Sequence, residues 1–310
     1  MKITIVSPAY NELENLELLC KRCHAVFEGL PKYNFALLLV DNKSVDGSWE
    51  KIRELKQKYP FLSAIQLSKN FGHQGGLLAG LKEAEGDAVI CMDADLQHPP
   101  ELIPDLISKW EKGFKVVNTV KANQKSSLLR KMIDKTFYGL MNKILKSEMG
   151  HSDFRLLDRQ ALDTFNNLPE NEKFIRGLVN WIGFKNIAVP YNVETRQYGV
   201  SKYSKKHLKE LVFMGLTSFS IEPLRWITKI GFLTLFPSAI YLLFVIITYI
   251  LHLIHPYPRW QIPPGWSTLA VITVFFGSIQ LLSIGIIGEY LGRIFNEVKK
   301  RPNFIIEDKI

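Results

Sequence analysis

The stretch Cys91–Pro100 reads CMDADLQHPP and sets Asp93 and Asp95 one residue apart, directly after an apolar run and just before two prolines. Buried carboxylates are costly unless a cation or hydrogen-bond donors meet them. A D-x-D at the end of a buried strand suits Mg²⁺ or Mn²⁺, hard ions that take carboxylate oxygens and share their shell with substrate phosphates. A metal so placed neutralises a diphosphate leaving group as its charge grows. D-x-D alone recurs by chance, so the neighbouring segments decide its weight.

Those acids need a scaffold. Short apolar runs at Ile3–Val6, Leu37–Val40, Ala64–Leu67 and Ala88–Met92, with a fifth at Val116–Val117, alternate with helical periodicity near 13–28, 48–58, 74–85 and 101–112. Continuous apolar runs between helices predict an α/β domain with a parallel sheet buried on both faces. Ligands bind beyond the carboxyl ends of such strands. Here those ends read SPAYNE, DNKSVD, SKNFGHQGG and DADLQH, which brings Glu12, Asp41, Asp46, Asp93 and Asp95 to one edge. Asp46 is also read as a helix cap. No G-x-G-x-x-G follows the first strand, so a dinucleotide site is not expected.

The 310 residues carry a net charge of +9 and three cysteines, too few for a disulfide framework. Cys20 and Cys23 form CKRCH, which matches a haem-attachment pattern, but on an amphipathic helix they read as two thiols. The amino terminus enters a strand directly and shows no cleavable signal, so a cytosolic catalytic domain over 1–204 is expected. The cations flank apolar segments, as in SKYSKKHLKE and EVKKRP, which favours a membrane surface as partner. No nucleic-acid motif is present.

The chain then turns apolar. Residues 205–226 read as interfacial amphipathic helices, with the segment near 128–146 a second candidate. Ile227–Ile254 and Trp266–Phe295 are each long enough to cross a bilayer, and HPYPRWQIPPGW suits a turn at the membrane boundary. Arg225 and Lys229 before the first span, and Arg293, Lys299, Lys300 and Arg301 around the end of the second, place both ends in the cytoplasm. The expectation is a two-helix transmembrane hairpin over 227–295 and a cytosolic tail over 296–310, in a multi-pass protein of the plasma (inner) membrane. Glu289 marks either the cytoplasmic end or a paired polar site. Gly277, Ser278, Ser283, Gly285, Gly288 and Gly292 offer small residues for helix pairing, and a homo-oligomer is expected.

The segments SPAYNE, DNKSVDGS, LSKNFGHQGGLLAGL, MDADLQHPPE, SDFRLLDR and RQYGVSKY together resemble family 2 glycosyltransferases in order and rough spacing. They look most like the branch that loads a sugar onto a polyprenyl phosphate, the dolichyl-phosphate mannose synthases and bactoprenol glucosyltransferases. The resemblance covers residues 1 to about 205 and implies a GT-A fold, a Rossmann-like nucleotide-sugar domain, with inversion at the anomeric carbon. It implies that Pro8, Tyr10, Glu12 and Asp41 hold the nucleoside, with Asp93 by the ribose and diphosphate. It assigns Asp95 and Gln97 to the metal, Asp153 of SDFR to the catalytic carboxylate, and Arg196, Ser201 and Lys202 to closure over the phosphates. Lys121 and Arg130 are candidates for gripping the lipid phosphate. The chain departs from the family where two adjacent acids precede Gly-Ser: Asn42 and Lys43 stand there, on the base side of the pocket.

The implied partners are a nucleotide sugar, UDP-glucose ahead of GDP-mannose, and a polyprenyl (undecaprenyl) phosphate. A processive polysaccharide synthase is the rival enzyme; it carries Q-x-x-R-W, where this chain has EPLRW. A non-catalytic membrane anchor is the third reading, and it gives no reason for acids at every strand end. Arg155 and Asp158 are read alternatively as a surface pair, and His73, His98 and His151 as polar loop residues.

Overall fold

The computed structural model describes residues 1–122, 152–171, 173–192 and 265–310, with isolated helical positions between 224 and 254. The chain divides into two units, residues 1–219 with 300–310, and residues 220–299.

In the first unit, strands β1 (Lys2–Ala9), β2 (Asn34–Asp41), β3 (Leu62–Leu67) and β4 (Ala88–Cys91) form the parallel heart of the sheet. All four are nearly continuous apolar runs because helices cover both faces. Helix α1 (Leu13–Glu28) buries Leu16, Leu19, Cys20 and Cys23, a helical stripe, so the CKRCH thiols belong to the core. Burial pushes the Cys20 thiol up to about 12, which leaves it protonated and inert. Helix α2 (Ser48–Lys58) buries Trp49, Ile52 and Leu55 on the same three-residue spacing. Helix α3 (Gly72–Glu83) lies on the other face, and lies close: a Cβ at Gly80 would sit 2.2 Å from Val6 Cγ1. After a short 3₁₀ turn at Pro100–Leu102, helix α4 (Ile103–Glu111) leads to β5 (Val116–Lys121).

The sheet is not all parallel. Strand β6 (Arg155–Asp158) runs antiparallel between β4 and β5, followed by helices α5 (Arg159–Asn166) and α6 (Ile175–Trp181) and by β7 (Asn186–Tyr191) beside β5. Strand β8 (Ile306–Lys309) closes the far edge, antiparallel to β3, and gives the order β7-β5-β6-β4-β1-β2-β3-β8. The expectation of a tail over 296–310 therefore needs correction. Helix α7 (Gly265–Lys299) runs through its first residues, and Ile306–Lys309 belongs to the catalytic sheet. Burial explains this: Phe304 and Ile306 pack on one face of the sheet and Ile310 on the other.

In the second unit, α7 presents exposed Leu281, Leu282, Ile284 and Leu291 along its length. Among the described residues, Phe275–Lys299 is the one stretch long and apolar enough to cross a membrane. The earlier span, 227–254, is described only at isolated helical positions, so the two-helix hairpin is not shown. Glu289 sits 4.0 Å from Arg293 one turn on, which accounts for the acid as one of a pair. The segments 128–146 and 205–223 lie outside the described residues.

Candidate active site

Register gathers the site. Ala9 pairs with Asp41, Asp41 with Gln66 and Val6 with Cys91, so the carboxyl ends of β1 to β4 are level. Because β6 is antiparallel, its first residue, Arg155, pairs with Cys91, the last of β4. Asp153 thus enters the edge that Asp93 leaves. Three of the four non-glycine residues with positive φ among the described residues, Asn11, Lys43 and Leu96, lie in the loops at this edge. Such backbone conformations are costly and collect where loops must aim side chains at a ligand.

On the β1–β2 side, Asp41 is fully buried; it accepts from the Ser44 amide at 3.2 Å and from Gln66 Nε2 at 2.8 Å. Pro8 is buried and packs against Gly76 of α3, where a Cβ would lie 3.3 Å from Pro8 Cβ. Glu12 accepts from Asn15 Nδ2 at 2.6 Å, and its amide donates to Ser48 Oγ. Tyr10 stands half-buried at the end of the same strand. Asn42 is no simple replacement for an acid. Its Nδ2 donates to the Gly72 carbonyl and its Oδ1 accepts from the Phe71 amide, both at 2.9 Å, which fixes the start of α3. Lys43 pairs with Glu307 of β8.

At the centre, Asp95 Oδ1 accepts from the Gln97 amide at 3.1 Å and shapes the D-x-D turn. The Asp93 amide donates to His98 Nδ1 at 3.1 Å, which puts the ring proton of neutral His98 on Nε2. Burial holds the His98 imidazole below its ordinary range and favours that neutral form. Its Nε2 meets Ser152 Oγ at 3.1 Å, and Ser152 also contacts the Tyr191 hydroxyl at 3.3 Å. Desolvation pushes that phenol up to about 12.

Asp153 has the densest surroundings. It is buried, and Arg176 of α6 donates Nε to Oδ1 at 2.8 Å and Nη2 to Oδ2 at 2.7 Å. Arg155 Nη2 lies 3.6 Å from Oδ1 and His73 Nε2 lies 3.4 Å from Oδ2. Burial opposes ionisation, but the charge and hydrogen bonds of Arg176, with His73, hold the carboxyl well below its usual range. His73 also stands 3.6 Å from Asp93. Burial works against its proton, yet the nearby Asp93 and Asp153 carboxylates outweigh it and push the imidazole up to about 9. Lys121, the last residue of β5, is half-buried; desolvation and then the nearby Arg176 charge hold its ammonium below the ordinary lysine range.

Residues 4–165 match the sequence profile of Glycosyl transferase family 2. An uncharacterized glycosyltransferase, YkcC of Bacillus subtilis (strain 168), is 38% identical over 99% of this chain and 94% of its own length. This chain belongs to glycosyl transferase family 2. A bactoprenol glucosyl transferase of Shigella phage SfV is 36% identical, covering 100% of this chain and 99% of the relative. Among solved structures, glucosyl-3-phosphoglycerate synthase from Mycobacterium tuberculosis in complex with Mn²⁺, uridine diphosphate and glucosyl-3-phosphoglycerate has a TM-score of 0.50 at 15% identity. It covers 70% of this chain and 77% of that one, and shares the GT-A-like mixed α/β fold.

Against that family frame, the structure brings Pro8, Tyr10, Glu12, Asp41, Asp93, Asp95, Gln97, Lys121 and Asp153 to the carboxyl edge. Arg130, Arg196, Ser201 and Lys202 lie outside the described residues. Asp95 and the Gln97 side chain offer a carboxylate and an amide oxygen, hard donors that fit Mg²⁺ or Mn²⁺ when substrate phosphates fill the rest of the shell. Among the described residues no group of three or more His, Cys, Asp or Glu side chains could by itself hold a metal ion.

The surface pairing of Arg155 with Asp158 is not what the fold makes. Arg155 is fully buried and donates to the Ser152 carbonyl at 2.7 Å. Asp158 accepts instead from Trp110 Nε1 and Lys115 Nζ. His73 lies on α3 beside Asp93 and Asp153, and His98 is buried against the Asp93 amide and Ser152, while His151 lies outside the described residues. Arg176 and Tyr191 were not foreseen, since nothing in their local sequence marks them; Ser152 lies within SDFR but was given no role, and Tyr191 reaches the edge on β7, opposite Lys121.

Proposed function

We propose that this chain transfers one glucosyl group from UDP-glucose to a polyprenyl phosphate, undecaprenyl phosphate, at the membrane face. The observation that supports it is likeness over the whole length to relatives named bactoprenol glucosyl transferase, at 36% identity. The nucleoside lies along Pro8, Tyr10, Glu12 and Asp41, and Asp93 lies by the ribose and diphosphate. Asp95 and Gln97 hold Mg²⁺ or Mn²⁺, which when bound neutralises charge on the departing diphosphate. Lys121 and Arg130 grip the acceptor phosphate, and Arg196, Ser201 and Lys202 close over the donor.

An acceptor phosphate oxygen attacks the anomeric carbon opposite the UDP. The carbon–oxygen bond to UDP breaks, its electron pair leaves with UDP, and the configuration inverts. A phosphate monoester has a second pKa of about 6 and is mostly dianionic near neutral pH, so little proton removal is needed. Asp153, ionised and gripped by Arg176, is suited to orienting groups rather than to taking a proton. Proposed spans over 227–254 and 266–295 would anchor the chain in the membrane that carries its lipid acceptor.

Purified full-length protein, undecaprenyl phosphate and radiolabelled UDP-glucose or GDP-mannose test this in detergent with Mg²⁺ or Mn²⁺. The expected product is an organic-extractable lipid carrying one glucose, with UDP released. A growing polymer, mannose in place of glucose, or no lipid product overturns the assignment.

A further inference from the structure

We infer that Arg176 is a positioning residue for glycosyl transfer, one that fixes the Asp153 carboxylate in place and orientation against the acceptor. The inference rests on the glycosyl transfer proposed above, in which Asp153 orients groups rather than taking a proton.

The contact is a fork on a fork. Two parallel hydrogen bonds, 2.8 and 2.7 Å, take one from each side of the guanidinium edge to each carboxylate oxygen. A single hydrogen bond leaves a carboxylate free to rotate about its Cβ–Cγ bond; two fix both the torsion and the distance. The other cations near Asp153 do neither. Arg155 stands off at 3.6 Å and spends a 2.7 Å bond on the Ser152 carbonyl, while His73, at 3.4 Å, is shared with Asp93.

Arg176 is itself referenced to the sheet. Asn180, one turn along α6, donates to the Arg176 carbonyl at 3.0 Å, and its Oδ1 accepts from Asn118 Nδ2 at 3.3 Å. Asn118 lies on β5, the strand whose last residue is Lys121. Arg176 therefore ties the Asp153 carboxylate, two residues before β6, to the strand that carries the acceptor-side lysine. A buried ion pair is a poor device for stability alone, since apolar side chains of similar volume serve as well or better. Its position among Asp93, Lys121, Ser152 and Tyr191 gives it a second use. A misplacement of about 1 Å costs on the order of 100-fold in rate where reacting groups must be aligned.

The test uses the full-length protein with UDP-glucose and undecaprenyl phosphate, comparing Arg176→Gln, Arg176→Lys, Asp153→Ala and the double variant Asp153→Ala/Arg176→Gln. Arg176→Gln is expected to lower kcat about 100-fold while KM for UDP-glucose and the affinity for UDP stay within about twofold. Arg176→Lys, which keeps the charge but not the fork, is expected to fall between Gln and wild type. The double variant should be no slower than Asp153→Ala, because Arg176 acts through that carboxylate.

Unchanged kcat in a folded Arg176→Gln protein overturns the inference, as does a double variant slowed by the product of the two single losses. Should the Gln variant fail to fold, Arg176→Lys carries the test: full kcat overturns the inference, and lowered kcat with intact UDP affinity supports it. A wild-type protein idle on every donor sugar overturns the functional reading and this inference together. An active wild type with indifferent Arg176 variants removes only the inference.

Discussion

In the proposed transfer, Asp95 and Asp153 divide the chemistry of the edge between them. The Asp95 carboxylate, which accepts from the Gln97 backbone amide, is the proposed ligand of a phosphate-sharing ion. Asp95→Ala is expected to abolish most turnover and to remove the Mn²⁺ dependence of UDP binding in titration calorimetry; unchanged turnover would sink the metal assignment. Asp153 makes a different prediction. An Asn there turns an amide donor toward one of the two guanidinium donors of Arg176, so Asp153→Asn should lose nearly as much as Asp153→Ala. Neither should recover as pH rises from 7 to about 9, because the acceptor, with its second pKa of about 6, is already ionised. Recovery with rising pH would show that a base had been lost.

At the level of elements, Asp158 shows how β6 and α5 are joined. It caps α5 through the Gln160 amide at 3.1 Å and also accepts from Trp110 Nε1 at 2.8 Å and Lys115 Nζ at 2.9 Å. Burial opposes its ionisation, but the Trp110 and Lys115 hydrogen bonds outweigh that and hold the carboxyl below its ordinary value. The folded pKa lies below the unfolded one, about 3.9, so this stabilisation is complete above about pH 5 and fades as pH falls through the folded value. Asp158→Ala should cost about 2 kcal/mol near neutral pH, and less in acid. Thermal unfolding of the two proteins from pH 7 down to 3 would show the gap closing; a constant gap would refute the ionic part of the argument.

At the level of the whole molecule, the chain leaves the catalytic unit, passes through α7 and returns to close the sheet. Glu307, Asp308 and Lys309 of β8 pair with Lys43, Arg53 and Glu83. These exposed pairs contribute little; the larger part comes from β3, which without β8 is a bare edge, and from the partial burial of Phe304, Ile306 and Ile310. Truncation after Lys299 should therefore destabilise the catalytic unit, on the order of 3 kcal/mol, and promote aggregation. Truncation at 226 would suffer the same loss, whereas joining 226 to 300 through a flexible linker should spare it. Equal melting temperatures for the three proteins would show that β8 contributes nothing.

Much of this was legible in the sequence. Continuous apolar runs located β1 to β5, because a strand buried on both faces has few alternatives, and helical spacing located α1 to α4. Acids at consecutive strand ends marked the edge, since a parallel sheet places all its carboxyl ends together. The partners of those acids were not legible. Asp153 and Arg176 meet only because β6 runs antiparallel between β4 and β5, and a four-residue strand carries no mark of its direction. Arg155 and Asp158 share a strand, yet one is buried near Asp153 and the other caps a helix; period-two geometry and neighbours decide that, not residue type. The last residues read as a polar tail because β8, IEDK, holds a single apolar residue. Its place beside β3 depends on a backbone edge left open by the rest of the fold, and hydrogen-bonding partners far apart in sequence exist only once the tertiary structure has formed.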